Sequence, residues 1–446
     1  MNGDLSSEQN EYRPLLRFIR AATSGSSLLI LATLGALLLS NSSFSHTYHE
    51  LLNMPLGIQI GHYNYGTTLH HWINDALMAI FFFVVGLEIK REFMVGELSD
   101  FRQAVFPMAA ALGGMLVPAL IYLFFNWGTA AAAGWGIPMA TDIAFALGCL
   151  AVLGDRIPIQ LKVFLLALAV FDDIGSIVVI AVFYTPELEI SALLMAAGVL
   201  IIAFLLNLAG VRKTMPYAIL GLLLWILTAR SGVHATVAGI LLAAAIPARA
   251  KISPPEFSAG VSDAMKVFPE RETEIMYVSE DDRKRFRQIN QYLYAIKTPL
   301  QDLEETLHPV AIMFIIPIFA LANAGLNLQG FSKETLMNPI TIGIILGLVA
   351  GKQIGITLFS WLSVRMGIAR MPSGISMAHV YGISCIGGIG YTMSLFIASL
   401  AFKSILYIEA AKIGILAASV ISAASGLIIL GMMIKSRILD DNGSTL

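Results

Sequence analysis

Between residues 17 and 434 the chain returns repeatedly to apolar runs of 18 or more residues, and no other feature limits its fold as strongly. A run of that length is what an α-helix needs to cross the hydrocarbon core of a bilayer. Composition agrees: 57% of residues are hydrophobic and 13% charged. A soluble domain carries about a quarter charged residues. In lipid the backbone must satisfy its own hydrogen bonds, so each run is read as a helix. The fold class expected is an all-α polytopic membrane protein. A net charge of −2 gives no footing for nucleic acid or an acidic polymer. Cys149 and Cys385 both fall in apolar segments and read as small buried residues without a redox role. The first run follows "EYRPLLRFIR" without a cleavage pattern, so no removable signal peptide is expected.

Polar and glycine-rich joints divide the runs into twelve spans, near 17–41, 69–94, 105–126, 130–153, 159–184, 191–209, 214–229, 232–247, 302–324, 341–363, 376–402 and 407–434. Basic residues orient them, since cytoplasmic loops carry the excess of Lys and Arg. Arg13, Arg17, Arg20, Lys90, Arg91, Arg102, Arg156, Lys162, Arg212, Lys213, Arg365, Arg370, Lys435 and Arg437 all fall on one side. The other side has Arg230, Lys333, Lys403 and Lys412, with the acidic "PELEI" joint. Both termini are therefore expected in the cytoplasm. The organisation predicted is a cytoplasmic segment 1–16, spans one to eight over 17–247, a charged cytoplasmic insertion 248–301, spans nine to twelve over 302–434, and a cytoplasmic tail 435–446. The insertion reads as a solvated loop whose second half, "SEDDRKRFRQINQYLYAIKTPLQ", forms an amphipathic surface helix.

Charges within the runs narrow the function. A charge at mid-bilayer costs at least about 2.5–3.5 kcal/mol, so its presence needs a reason. Asp172 and Asp173, in "LLALAVFDDIGSIVVI", lie about 20 Å along the fifth span. Two adjacent carboxylates resist double ionisation, which suits them to hold a proton near neutral pH. A small hard cation prefers oxygen ligands and would compete for the same atoms. In the fourth span, "GWGIPMATDIAFALGCLAVLG", Pro138 and the Thr141–Asp142 pair interrupt the helix. A broken helix at membrane depth is tolerated where it is buried or lines a cavity. Asp142 is suited to cap the second half-helix, a structural role compatible with transport.

The eleventh span sets Gly387, Gly388 and Gly390 ahead of Thr392, and repeats a spacing of the fourth: Thr141 precedes Phe145 by four, as Thr392 precedes Phe396. Interrupted spans at corresponding places in two halves point to a transporter's binding site. Lys352, in "GLVAGKQIGITLF", is too deep in the tenth span to snorkel. Asp172 or Asp173 is its expected partner; it serves as a counter-ion for them or for a half-helix end, or itself carries a proton. His234 reads first as a hydrogen-bonded structural histidine. Glu88, Lys90, Arg91 and Glu92 end the second span, and Glu304, Glu305 and His308 begin the ninth on the same side. They would form a titrating cytoplasmic cluster if the fold brought them together. Asp75, nearer the outer end, has no role assigned.

The segments "WINDALMAIFFFVVGLEIKRE", "ATDIAFALG", "FDDIGSIVVIAVFY", "SGVHATVAG", "LHPVAIMFIIPIFALANAGL", "AGKQIGI" and "GIGYTMSLFIASLAF", in this order, closely resemble bacterial NhaA-type sodium/proton antiporters, over nearly all of residues 13–435. The insertion at 248–301 departs from that pattern, where the family usually has a short loop. The resemblance implies twelve transmembrane helices with inverted-topology repeats, spans three to five against ten to twelve, and two discontinuous helices, spans four and eleven, that cross near the midplane. It implies electrogenic export of sodium or lithium in exchange for protons, at the inner membrane, for pH and sodium homeostasis, without a cofactor. Asp172 and Asp173 would bind the cation and protons, with Thr141 and Asp142 nearby, and Lys352 would pair with Asp172. Glu88, Arg91, Glu92, His234, Glu304 and His308 would serve the response to pH. A homodimer would form through an outward β-hairpin, here "PLGIQIGHYNYGT".

Three rivals account for less. A sodium-coupled symporter also uses broken helices, but no pocket for an organic solute is evident. A channel would present rings of ligands rather than a lysine on the path. An intramembrane aspartyl protease needs one Asp on each of two facing helices. Asp142 and Asp172 would supply that pair, but Asp173 and Lys352 would then have no role.

Overall fold

The computed structural model describes residues 13–443 apart from 61–62, 186–187, 267–279, 328–332 and 373. Most of the 1–16 segment, the last three residues of the tail, part of the "PELEI" joint and the middle of the insertion therefore lie outside the described residues. The first half contains α1 (Arg13–Ser40), α2 (Ser45–Leu52), α3 (Leu69–Val95), α4 (Phe101–Asn126), a 3₁₀ segment (Ala130–Met139), α5 (Ile143–Val152), α6 (Ile159–Phe183), α7 (Ile190–Leu208), α8 (Thr214–Arg230) and α9 (Val237–Ala245). The insertion forms α10 (Pro254–Lys266) and α11 (Glu280–Ile296). After it come α12 (Pro299–Asn323), α13 (Pro339–Arg365), α14 (Met377–Gly387), α15 (Tyr391–Ala401) and α16 (Ile405–Gly443).

The protein is an all-α polytopic membrane protein, and each predicted span contains helix. Among the described residues, seven helices are long and apolar enough to cross a bilayer, or ten if each of three bent pairs counts as one span. α8 is shorter, and α9 has only 9 residues. The β-hairpin expected at "PLGIQIGHYNYGT" is present as β1 (Pro55–Ile60) and β2 (Tyr63–Thr68), which pair antiparallel with Pro55 opposite Thr68 and Ile60 opposite Tyr63.

Three local features position the interior. The 3₁₀ segment and α5 meet at 43°, with residues 140–142 out of helical register; α14 and α15 meet at 49° across residues 388–390. The two breaks touch: the Asp142 amide donates to the Ile389 carbonyl at 2.7 Å, and the Ser394 hydroxyl to the Ile137 carbonyl at 2.8 Å. Backbone polar groups freed at one break are thus satisfied by the other, as burial in an apolar interior requires. α4 and α13 approach backbone to backbone, since a Cβ added to Gly355 would overlap the Gly113 carbonyl oxygen. Just before Lys352, α13 widens into a π-turn at Gly347–Gly351, whose glycines press against Pro118 of α4.

Candidate functional site

Asp172 and Asp173 stand in the middle of α6, both sealed from solvent at 0% and 2% exposure. They face different neighbours because successive helical residues point about 100° apart. Asp172 Oδ2 accepts hydrogen bonds from the Lys352 ammonium and from the Thr141 hydroxyl, the latter at 2.6 Å. Lys352, itself at 0% exposure, also donates to Thr141 Oγ1 at 3.0 Å. The Thr141 hydroxyl has a second acceptor within reach, the Gly387 carbonyl at 2.8 Å. One threonine therefore links the carboxylate, the ammonium and the end of α14.

Asp173 is placed differently. Its Oδ1 is buried without a hydrogen bond, as is Asp172 Oδ1. A buried polar atom left unpaired costs roughly 1–3 kcal/mol, more if charged. Asp173 lines a cavity of about 40 Å³ together with Thr141, Asp142, Glu88, His308 and Thr392. A water needs roughly 10–15 Å³ of such space, so the cavity has room for water or a partly dehydrated cation. Its oxygen lining suits a hard cation such as sodium. Among the described residues no three His, Cys, Asp or Glu side chains converge as a transition-metal site would require.

Asp142 acts as a cap in this arrangement. Its Oδ1 accepts from the Phe145 amide at 2.9 Å, and its Oδ2 from the Thr392 amide at 3.0 Å and hydroxyl at 2.5 Å. One carboxylate thus meets the positive N-terminal ends of α5 and α15 together. Thr392 was legible in sequence only as half of the Thr-x-x-x-Phe repeat; its bond to Asp142 depends on the contact between the two breaks.

The structure brings five of the six residues ascribed to the pH response into one region. Arg91 pairs with Glu304 of α12 and with Glu92 at 2.7 Å. Glu88 and His308 line the cavity that reaches Asp173, and Glu88 Oε1 is also buried without a hydrogen bond. His234 lies elsewhere. Its Nδ1 meets Thr236 Oγ1 at 2.9 Å, its Nε2 lies 3.9 Å from Asp75 Oδ1, and its ring stands edge-on to Phe396. Asp75, unassigned from sequence, also meets His71 at 3.0 Å. Phe396 packs on Phe82 and Phe319. No local pattern signals the buried amide pair of Asn74 and Asn323, where Asn323 donates to Asn74 at 2.8 Å.

The arrangement can hold a proton or a small cation at Asp173, compensate Asp172 with a lysine, and admit water along one cavity. Comparison with known proteins shows the family. The family model described as Na+/H+ antiporter 1 matches residues 16–430. The chain is 48% identical over 427 residues to a protein of Oleidesulfovibrio alaskensis named Na(+)/H(+) antiporter NhaA, covering 95% of each. Like-named proteins of Acidithiobacillus ferrooxidans and Pelagibacter ubique are 48% and 43% identical, over 93% and 95% of this chain and 96% and 98% of their own.

Proposed function

The chain belongs to the Na+/H+ antiporter family and is a sodium/proton antiporter rather than an enzyme, and from that premise we propose that Asp172 and Asp173 are the site where cation and protons compete. The observation that carries this reading is the contrast between two adjacent buried carboxylates, one held by Lys352 and Thr141 and the other facing a cavity with an unbonded oxygen. Twelve spans, with the pairs at 130–152 and 377–401 serving as discontinuous membrane helices, are part of the same reading, as is the inverted repeat. Both termini and the Glu88–His308 end of the cavity face the cytoplasm on this view, which the distribution of basic residues supports. The β1–β2 hairpin would join two copies through its strand edges.

The cycle follows from charge. With the cavity open to the cytoplasm, sodium meets deprotonated Asp173 and, once Lys352 releases its ion pair, Asp172. Protons held by these groups leave inward. The site then turns outward, sodium departs, and protons reload the carboxylates. Reorientation of an unmet charge through the apolar interior is too costly, so only a cation-loaded or a protonated site crosses. That condition makes exchange obligatory, and more protons than sodium ions moved per cycle makes it electrogenic. Lithium is small and hard enough to use the same oxygen ligands. Glu88, Arg91, Glu92, Glu304 and His308 would gate access with pH, and His234 would contribute from the outer side. Sodium export of this kind serves pH and sodium homeostasis at a bacterial inner membrane.

Everted vesicles loaded with a pH-gradient dye provide the test. Sodium should collapse the gradient with the native protein and not with Asp173→Asn, at every pH where the native protein works. An Asp173→Asn protein that responds as the native one does would leave the pair a structural element and end this mechanism.

A further inference from the structure

The insertion at 248–301 takes no part in the cycle above, yet it is anchored at both ends. The Arg212 guanidinium, from the joint between α7 and α8, donates to the carbonyls of Arg249 and Lys297, both at 2.9 Å. The Lys251 amide donates to the Ala295 carbonyl at 2.8 Å and the Leu300 amide to the Pro247 carbonyl at 3.1 Å. Pro247 closes the eighth predicted span and Pro299 opens α12, so this clamp holds the base of the α10–α11 hairpin where the chain enters the membrane.

α11 has two faces. Tyr292 turns toward α10, where Gly260 leaves room for its ring and a Cβ would overlap it, and the half-buried Ile289 and Ile296 share that side of the helix. The opposite face carries Arg283, Phe286, Arg287, Leu293 and Tyr294, and all five are exposed, Tyr294 at 79%. From Arg283 to Ile296 the helix contains no acidic residue. Aromatic and aliphatic side chains set among arginines on a helix face match the boundary between lipid headgroups and acyl chains. Leu293 and Tyr294 also lie within six residues of Pro299, where α12 begins.

We propose that this outer face of α11 docks on the anionic phosphates of the cytoplasmic leaflet, with Arg283 and Arg287 on headgroups and Phe286, Leu293 and Tyr294 at the acyl boundary. This rests on the orientation proposed above. A soluble acidic partner would use the arginines equally well, but it gives no reason for three apolar side chains beside the membrane. A lipid surface accounts for both. Because α11 runs through Thr298 directly into the helix bearing Glu304 and His308, docking would also set how α12 enters the bilayer.

The full-length protein carrying Asn290→Cys, on the same face, tests this with a polarity-sensitive fluorophore; Cys149 and Cys385 are buried. Reconstituted into phosphatidylcholine vesicles containing phosphatidylglycerol, the label should shift to the blue and be quenched by bromine-labelled lipid. It should do neither in phosphatidylcholine alone, with or without inorganic phosphate. Each of Arg283→Gln and Arg287→Gln should weaken docking roughly five-fold, and added salt should reverse it. A label indifferent to lipid charge while reacting only from the cytoplasmic side overturns docking alone. A shift that follows protein concentration in neutral vesicles also overturns it, by assigning the face to a second copy. Reaction with an impermeant reagent outside intact cells overturns the orientation as well.

Discussion

Lys352 and Asp172 are each wholly removed from solvent, and neither is tolerable there without the other. Losing one partner of a buried pair strands the other at a cost of about 3–5 kcal/mol, whereas replacing both with neutral groups is often nearly free. Lys352→Met should therefore unfold in detergent at a clearly lower temperature than the native protein. The double variant Asp172→Asn with Lys352→Met should recover most of that loss while remaining unable to transport. Thermal unfolding followed by size-exclusion fluorescence reads the first effect and vesicle proton flux the second. A double variant no more stable than Lys352→Met would mean that the pair is not the main support of this region. At this scale the sequence was informative about identity and silent about contacts. It marked Asp172, Asp173 and Lys352 as residues needing a reason. Apart from the family resemblance, which named Asp172, it left Lys352 undecided between two aspartates, because that choice depends on which face of α6 meets α13.

Among the elements, α4 and α13 depend on close approach. Gly355→Ala would force a methyl group into the Gly113 backbone, and overpacking of this kind costs about 1–3 kcal/mol. Because Lys352 lies one turn earlier on α13, the displacement should reduce transport along with stability, while Gly198→Ala, on α7 with open space around it, should alter neither. Thermal unfolding and vesicle flux on both variants check this. The start of α12 gives a pH prediction. Outside the membrane, hydrogen bonds to Asp302 and then Glu305 raise the Lys297 ammonium above its ordinary value of 10.5. A raised lysine contributes fully below its unfolded value and loses that contribution only as pH climbs through the folded one. Across neutral and mildly alkaline pH this anchor does not titrate. Lys297→Gln should accordingly leave the pH profile of transport in place, measured by dye quenching across that range. A shifted profile would give the insertion's junction a part in pH sensing. Helix positions were readable from hydropathy because lipid permits few alternatives. The breaks were readable from Pro138, Thr141 and the glycines at 387–390, but their mutual bonding was not.

For the whole molecule, the paired strands β1 and β2 form a two-stranded sheet that no third strand joins among the described residues. Replacing residues 56–67 with a short glycine-serine turn should convert a dimer to a monomer in detergent, by light scattering, while each monomer keeps its Asp172–Lys352 site. A dimer unaffected by the change would place the interface elsewhere. What the sequence determined by itself was the solvent the chain folds in, the helical class, the buried charges and, through long matching motifs, the family. These are properties of local composition and order along the chain. Tertiary structure alone decided that Asp142 caps its own helix and also bonds Thr392, 250 residues away, at the start of another, that Thr141 bridges Asp172 to Lys352, and that His234 sits with Asp75 rather than with Arg91 and Glu304. Each depends on the packing of helices distant in sequence, and hydropathy, which ranks residues by their solvent, carries no information about which helix faces which.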